Sequence, residues 1–139
     1  MGFNELLTKF FGNKSQRDLK EINPYVDKMK VLYPSIQALS NDDLRAKSIE
    51  LKKKIQDYVA GEKNKISELK AQIEGLEIEQ REPLWAEIDK LEKEVTKKYE
   101  DILEEILPEA FCITKDTARR FTENEEIEVT ATDFDRELA

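Results

Sequence analysis

The sequence of 139 residues contains no histidine, one cysteine and only four glycines. Without histidine, neither a Ser-His nor a Cys-His nucleophile pair can form, and a Cys/His zinc site is excluded as well. The glycines, Gly2, Gly12, Gly61 and Gly75, do not form the G-x-x-x-x-G-K-[ST] loop that cradles nucleotide phosphates. The single Cys112 cannot form an internal disulfide and suits a reducing compartment. We therefore expect the chain alone to be catalytically inactive, with no catalytic, cofactor or metal site of its own.

The sequence also shows no recognisable targeting signal and no membrane-spanning segment. No apolar run approaches the roughly 18 residues that a membrane-spanning helix needs. The opening residues lack the apolar core and small-residue cleavage site of a secretory signal. Met1-Gly2 would suit myristoylation only with Ser or Thr at the sixth position, which is Leu6. These absences predict a cytoplasmic protein.

Charged residues are abundant and unevenly distributed. Charged and hydrophobic residues each make up 39% of the chain, a balance that favours elongated, charged helices over a compact mixed sheet. Residues 1–60 carry 11 Lys and Arg against 8 Asp and Glu, whereas residues 61–139 carry 12 against 23. The acidic excess of the second part argues against nucleic acid as a partner. We expect an all-α fold.

The first 14 residues, MGFNELLTKFFGNK, predict an amphipathic helix. Its five large apolar residues recur at i, i+3, i+4, i+7 and i+8, which places them on one stripe: Phe3, Leu6, Leu7, Phe10 and Phe11. Gly12 is well placed to end the helix. From the residues alone, the stripe fits burial against the chain's own core, a partner or a membrane surface.

Residues 15–59 predict further helices. Two pairs have the capping-box form, Ser15 with Asp18 and Ser40 with Asp43, so we expect helices to begin near Gln16 and after Ser40. The second helix is expected to run to about residue 59. Kinks, breaks or ends are expected at three places: Pro24, Pro34 and Ala60-Gly61.

Residues 60–106 predict an antiparallel helical hairpin. On both sides of Pro83, apolar residues recur every three or four positions, which approximates the heptad pattern of a coiled-coil seam. Because Pro83 suits the first turn of a new helix, the turn is expected near Gln80–Glu82. Each arm would be about 30 Å long. An intermolecular coiled coil is the alternative. The seam residues are Ile66, Leu69, Ile73, Leu76, Leu84, Ile88, Leu91, Val95, Tyr99, Ile102 and Ile106.

The remaining residues predict one helix and an acidic tail. Pro108 is expected to open a helix over residues 107–121, and Cys112 fits a small core residue of that helix. Residues 122–139 hold seven acidic residues and one arginine, so we expect a flexible tail. Trp85, near the predicted turn, fits either packing at the hairpin tip or a partner-binding anchor.

Three sequence blocks, in this order, resemble the amino terminus of the SecA family, the ATPase motor of bacterial protein export. They are LLTKFFGNKSQRDLK, KMKVLYPSIQALSNDDLRAKSIELKKKI and ILPEAFCITKDTARR. The matching motifs are Lys9 to Gly12, Leu39 to Ser48, Leu107 to Phe111 and Ala118 to Arg120. The resemblance covers residues 5–59 and 102–121. In that family a short connection joins the second and third blocks, whereas residues 60–101 intervene here.

The resemblance implies that the chain is the amino-terminal part of a larger motor with two RecA-like α/β domains. An acidic stretch stands where the family's adenine-contacting segment would begin, and the chain stops at Ala139 before the phosphate-binding loop. The family couples ATP hydrolysis, with Mg²⁺, to preprotein transport through the SecYEG channel. Helices of residues 15–59 and 107–121 would flank the first nucleotide-binding domain, with Phe111 and Phe121 as candidate contacts. The hairpin would project as an accessory.

The resemblance also gives the first helix a role at the inner face of the plasma membrane. The family's extreme amino terminus is associated with anionic phospholipids, the channel and homodimer contacts. The candidate contact residues here are Phe3, Leu6, Leu7, Lys9, Phe10, Phe11, Lys14 and Arg17. The rival hypothesis is a self-contained helical interaction module without a motor.

Overall fold

The computed structural model describes residues 14–139, and within that range helices are the only regular elements. They are α1 (Lys14–Gln37), α2 (Asn41–Glu74), α3 (Ile78–Glu123) and the short α4 (Asp133–Leu138). The predicted all-α class is confirmed.

Helices α2 and α3 form a long antiparallel pair. Residues farther along α2 contact residues earlier in α3: Lys54 bonds Glu105 at 2.6 Å, whereas Lys70 bonds Glu92 at 3.1 Å. The helices have 34 and 46 residues, or about 51 and 69 Å. Their seam buries apolar side chains from the predicted positions: Leu69, Ile73, Ile88, Leu91, Val95, Ile102 and Ile106.

The turn between α2 and α3 lies at Gly75–Glu77, so the position predicted at Gln80–Glu82 is wrong. Gly75 caps α2, and its N–H reaches the carbonyls of the preceding turn. The Arg81 guanidinium, already inside α3, donates from Nε and Nη2 to the Leu76 carbonyl at 2.8 and 2.6 Å. These bonds satisfy a backbone acceptor that the turn leaves free.

Helix α1 packs beside the second half of α3 and runs in the same direction. The Tyr25 hydroxyl donates to Glu104 at 2.8 Å, and the Tyr33 hydroxyl donates to Asp116 at 3.3 Å. Residue numbers therefore increase in the same direction along both helices. Ser40 caps α2 by accepting from the Asp43 N–H at 3.1 Å, which confirms the predicted cap. A buried cluster joins the three helices there: Ile36, Leu44 and Cys112.

All four prolines lie inside helices: Pro24 and Pro34 in α1, Pro83 and Pro108 in α3. The predicted new helix at Pro108 is therefore wrong, and so is the predicted helix end near residue 59, because α2 continues to Glu74. A helix-interior proline costs roughly 3 kcal/mol and a glycine about 1 kcal/mol. Near Pro108, Ile106 and Cys112 are buried on either side and offset that cost by packing. The division into segments 1–14, 15–59, 60–106, 107–121 and 122–139 stays a prediction.

Candidate functional site

Most of the predicted membrane- and channel-contact residues lie outside the described residues: Phe3, Leu6, Leu7, Lys9, Phe10 and Phe11. The other two, Lys14 and Arg17, lie in the first turns of α1, and both side chains are exposed. Among residues 14–139, no helix combines the length and apolar character that crossing a bilayer requires.

A line of exposed apolar side chains follows one face of α3. Leu103, Leu107 and Phe111 are four residues apart, and Phe121 continues the same face. Their exposed fractions are 50%, 37%, 53% and 68% in that order. This α3 stripe is about 27 Å long, and none of the described helices covers it. A line of exposed apolar side chains of this kind is a candidate interaction site.

A buried polar junction lies at the end of α3, where α1 turns into α2. Asp116 is fully buried, and Arg120 is 8% exposed. Arg120 donates from Nε to the Asp116 carboxylate at 2.7 Å, from Nη1 to Asn41 Oδ1 at 2.6 Å, and from Nη2 to the Leu39 carbonyl at 2.7 Å. Arg119 Nε also donates to Asp116, at 2.9 Å. One guanidinium thus ties α3 to the start of α2.

The charge state of Asp116 follows from these contacts. Burial alone would raise the pKa of its carboxyl, but the hydrogen bonds from Arg119 and Arg120 outweigh burial and hold that pKa below its usual value. The carboxylate is therefore ionised at neutral pH. The junction is a structural ion pair, because both charged groups are already satisfied by protein partners.

Residues 124–138 lie across the first turns of α2. Asp42 accepts from the Thr130 N–H at 2.8 Å and from its hydroxyl at 2.6 Å. Arg45 donates from Nη2 to both Asp135 oxygens, at 3.0 and 2.8 Å. Bonds from Thr132 and Arg45 lower the pKa of Asp135 to about 2. The expected flexibility of residues 122–139 stays a prediction, but these contacts attach the segment to α2.

A cavity of about 300 Å³ lies between α2, α3 and this segment. Apolar side chains form most of its wall: Leu44, Ile113, Phe121, Ile127 and Val129. The two arginines at its edge, Arg45 and Arg120, are already paired, so the cavity offers no free charge to a ligand.

The two described glycines both belong to α2 or its end. Gly61 is in the middle of α2 and Gly75 caps it, so neither belongs to a phosphate-binding loop. Within residues 14–139, no three Cys, Asp or Glu side chains come together as a metal site.

Cys112 is fully buried, and burial raises the pKa of its thiol, as expected of a core residue. Trp85 is 46% exposed near the turn.

Sequence reasoning missed the polar junction. Arg120 is 79 residues from Asn41 and 81 residues from Leu39 along the chain, so no local pattern connects it with either. The one available signal was Asp116 and Arg120 at the i, i+4 spacing on an otherwise apolar helix face.

Comparison with known proteins agrees with the sequence resemblance. The family described as the SecA DEAD-like domain matches residues 7–132. A protein translocase subunit SecA from Parabacteroides distasonis is 66% identical over all 139 residues, which correspond to 12% of that protein. The SecA of Phocaeicola vulgatus is 64% identical over the whole chain and 13% of its own length, and that of Flavobacterium psychrophilum is 47% identical over 98% of the chain and 12% of its length.

The chain thus spans about one eighth of the length of the curated relatives it matches. The alignments with these two relatives cover residues 60–106 as well, so this stretch of sequence is not peculiar to this chain. No solved structure gave a significant match. The family match covers most of the chain, which therefore belongs to the SecA DEAD-like domain family.

Proposed function

We propose that this chain is the amino-terminal segment of a SecA-type motor that couples ATP hydrolysis to preprotein transport through the SecYEG channel. The observation that carries the proposal is the family match over residues 7–132, together with relatives named protein translocase subunit SecA. In this proposal the segment supports the motor and does not catalyse. Preproteins reach the complex through the rest of the motor.

The α3 stripe is the proposed contact with the first nucleotide-binding domain, a RecA-like domain outside this chain. Four large apolar side chains are about half exposed along one side of α3, so burying the exposed part of each would contribute roughly 1 kcal/mol. Phe111 and Phe121 are the largest of them. ATP and Mg²⁺ would bind in that larger part of the protein.

The first helix is the proposed contact with the membrane and the channel. Its apolar stripe would enter the headgroup region at the inner face of the plasma membrane, which makes the protein cytoplasmic and peripherally attached. Each nearby basic residue would add about 1 kcal/mol on an anionic phospholipid surface. Lys14 and Arg17, both exposed at the start of α1, are available for this contact. The same helix is a candidate homodimer contact.

A chimera tests the translocation role. This chain would replace the aligned segment of full-length Parabacteroides distasonis SecA, and ATP-driven transport of a preprotein into inverted membrane vesicles would be measured. We expect transport at a rate close to that of the parent protein. A chimera that folds and hydrolyses ATP but transports nothing would contradict the proposed function.

The same chimera tests the α3 stripe separately. Leu107→Ser with Phe111→Ser should loosen docking of the segment and reduce transport. Val31→Ser is the matched control, because Val31 is 81% exposed on α1 and lies off the stripe. Equal transport by the two variants would contradict the proposed contact between the α3 stripe and the nucleotide-binding domain. It would leave the proposed role in translocation unaffected.

Liposome co-sedimentation tests the first helix. Vesicles containing an anionic phospholipid should retain the chain, and Phe10→Ser with Phe11→Ser should release it. Retention unchanged by that double substitution would exclude the membrane role.

A further inference from the structure

The far end of the α2–α3 pair carries exposed apolar side chains. We define the tip as residues 74–89. Within it, Ile78 is 76% exposed and Trp85 is 46% exposed. The two are seven residues apart, or two helical turns, so they lie on the same face of α3. Glu82 and Asp89 share that face, which therefore alternates apolar and acidic side chains.

The tip presents this face on a rigid base. Two hydrogen bonds from Arg81 to the Leu76 carbonyl, at 2.8 and 2.6 Å, fix the turn. Directly below, Ile73 and Ile88 are 5% and 1% exposed in one core cluster. Ile78 and Trp85 are thus held in place before any partner binds, which lowers the entropic cost of binding.

The tip is strongly acidic. It contains six acidic residues and one basic residue, Arg81, whose guanidinium is bonded within the turn. Glu87 pairs with Lys65 at 2.5 Å. The other five make no ion pair with any residue from 14 to 139: Glu74, Glu77, Glu79, Glu82 and Asp89.

The tip stands apart from the other proposed contacts. The hydrogen bond between Tyr25 and Glu104 joins α1 to α3 26 residues beyond Ile78, or about 39 Å along the helix. The α3 stripe begins at Leu103, equally far away. A partner bound at the tip would leave both of those regions uncovered.

We propose that the tip is a docking surface for a cationic, amphipathic segment of a partner protein. Apolar side chains of that segment would cover Ile78 and Trp85, and its Lys or Arg side chains would meet the five unpaired carboxylates. The negative charge of the tip favours a cationic protein segment over other partners. Anionic lipid, nucleic acid and a second acidic tip are all repelled by this surface.

The test uses the fluorescence of Trp85, the sole tryptophan of the chain. The probe is a short, tryptophan-free helical peptide of Leu and Lys, added to the full chain, with the Leu and Glu peptide of the same pattern as its counterpart. The Lys peptide should shift Trp85 emission to shorter wavelength, and the Glu peptide should not. Raising the salt concentration should weaken the binding.

Variants locate the binding. Glu82→Lys with Asp89→Lys should lower the affinity for the Lys peptide by about tenfold or more, since two attractive contacts become repulsive. Ile78→Ser should weaken it as well, through lost apolar contact. The matched control is Glu100→Lys with Asp101→Lys, which makes the same charge change at exposed, unpaired positions of the same helix. Its affinity should stay within about twofold of the unmodified chain, because these charges lie more than a Debye length from the tip. Helicity from circular dichroism at 222 nm checks that every variant is folded.

Three results would overturn the proposal. Equal weakening by the tip and control variants would show nonspecific attraction to an acidic chain. Equal binding of the Lys and Glu peptides would remove the role of charge. A Trp85 shift with phosphatidylglycerol vesicles, without one for the Lys peptide, would make the tip a lipid contact instead.

Discussion

Replacing Asp116 by alanine should destabilise the chain by about 3 kcal/mol. Asp116 is fully buried, and its removal leaves the Arg120 guanidinium, 8% exposed, without its anionic partner. Breaking a buried ion pair from one side typically costs about 3–5 kcal/mol. Arg120 would keep two neutral acceptors, Asn41 Oδ1 at 2.6 Å and the Leu39 carbonyl at 2.7 Å, which places the expected cost at the lower end.

Urea denaturation followed by circular dichroism at 222 nm measures this cost. A second variant, Asp116→Ala with Arg120→Met, removes both buried charges and should be less destabilised than Asp116→Ala alone. Asp27→Ala is the matched control, since Asp27 pairs with Lys30 at the surface, where both side chains are at least 70% exposed. That control should leave stability unchanged within error.

The effect should also depend on pH in a defined direction. The folded pKa of Asp116 lies below the unfolded value of about 3.9, so its stabilisation is present above that value and is lost as pH falls through the folded pKa. The difference between the unmodified chain and Asp116→Ala should thus be constant from about pH 5 to 8 and shrink below about pH 4. A cost under about 1 kcal/mol, or a double variant less stable than the single one, would refute the buried-charge account.

Three further predictions concern other parts of the chain. Ile88→Ala should cost about 2–4 kcal/mol in urea denaturation because Ile88 is 1% exposed in the seam, whereas Ile78→Ala, at a 76% exposed position, should cost almost nothing; similar costs would contradict the assigned burial. The Cys112 thiol is fully buried and its pKa is raised, so a disulfide reagent at pH 8 should react with it only after urea is added. Fast reaction of the folded chain would show that the buried cluster around Cys112 opens in solution. Asp135 should titrate near pH 2 in carboxyl ¹³C NMR, below an ordinary aspartate near 3.9, and Arg45→Ala should raise that midpoint; a midpoint near 4 in the unmodified chain would mean that residues 124–138 do not bind α2 as described.

Local sequence signals predicted the helix faces well. The steps of three and four that include Leu69, Ile73, Ile88 and Leu91 place all four in one buried cluster. Ser40 caps α2 because its hydroxyl accepts from the N–H three residues on, a purely local interaction. Signals of this kind depend only on the periodicity and capping chemistry of neighbouring residues.

Helix ends and long-range contacts could not be predicted in the same way. Pro83 favoured a turn at Gln80–Glu82, but α3 already begins at Ile78 and includes the proline. Pro108 lies inside α3 because packing against α1 and α2 outweighs its local preference to start a helix. The polar junction depends on Arg120 meeting Leu39 and Asn41, which only the tertiary arrangement brings together.

The unbroken length of α3 gives the molecule the geometry of a lever. Ile78 at one end and Asp116 near the other belong to the same helix, 38 residues or about 57 Å apart, and α2 runs beside it without interruption. A rotation of about 5° at the Asp116 end would carry the far end through about 5 Å over this length. A change of a few degrees in the direction of α3 at Arg120 would thus displace Trp85 by several ångströms.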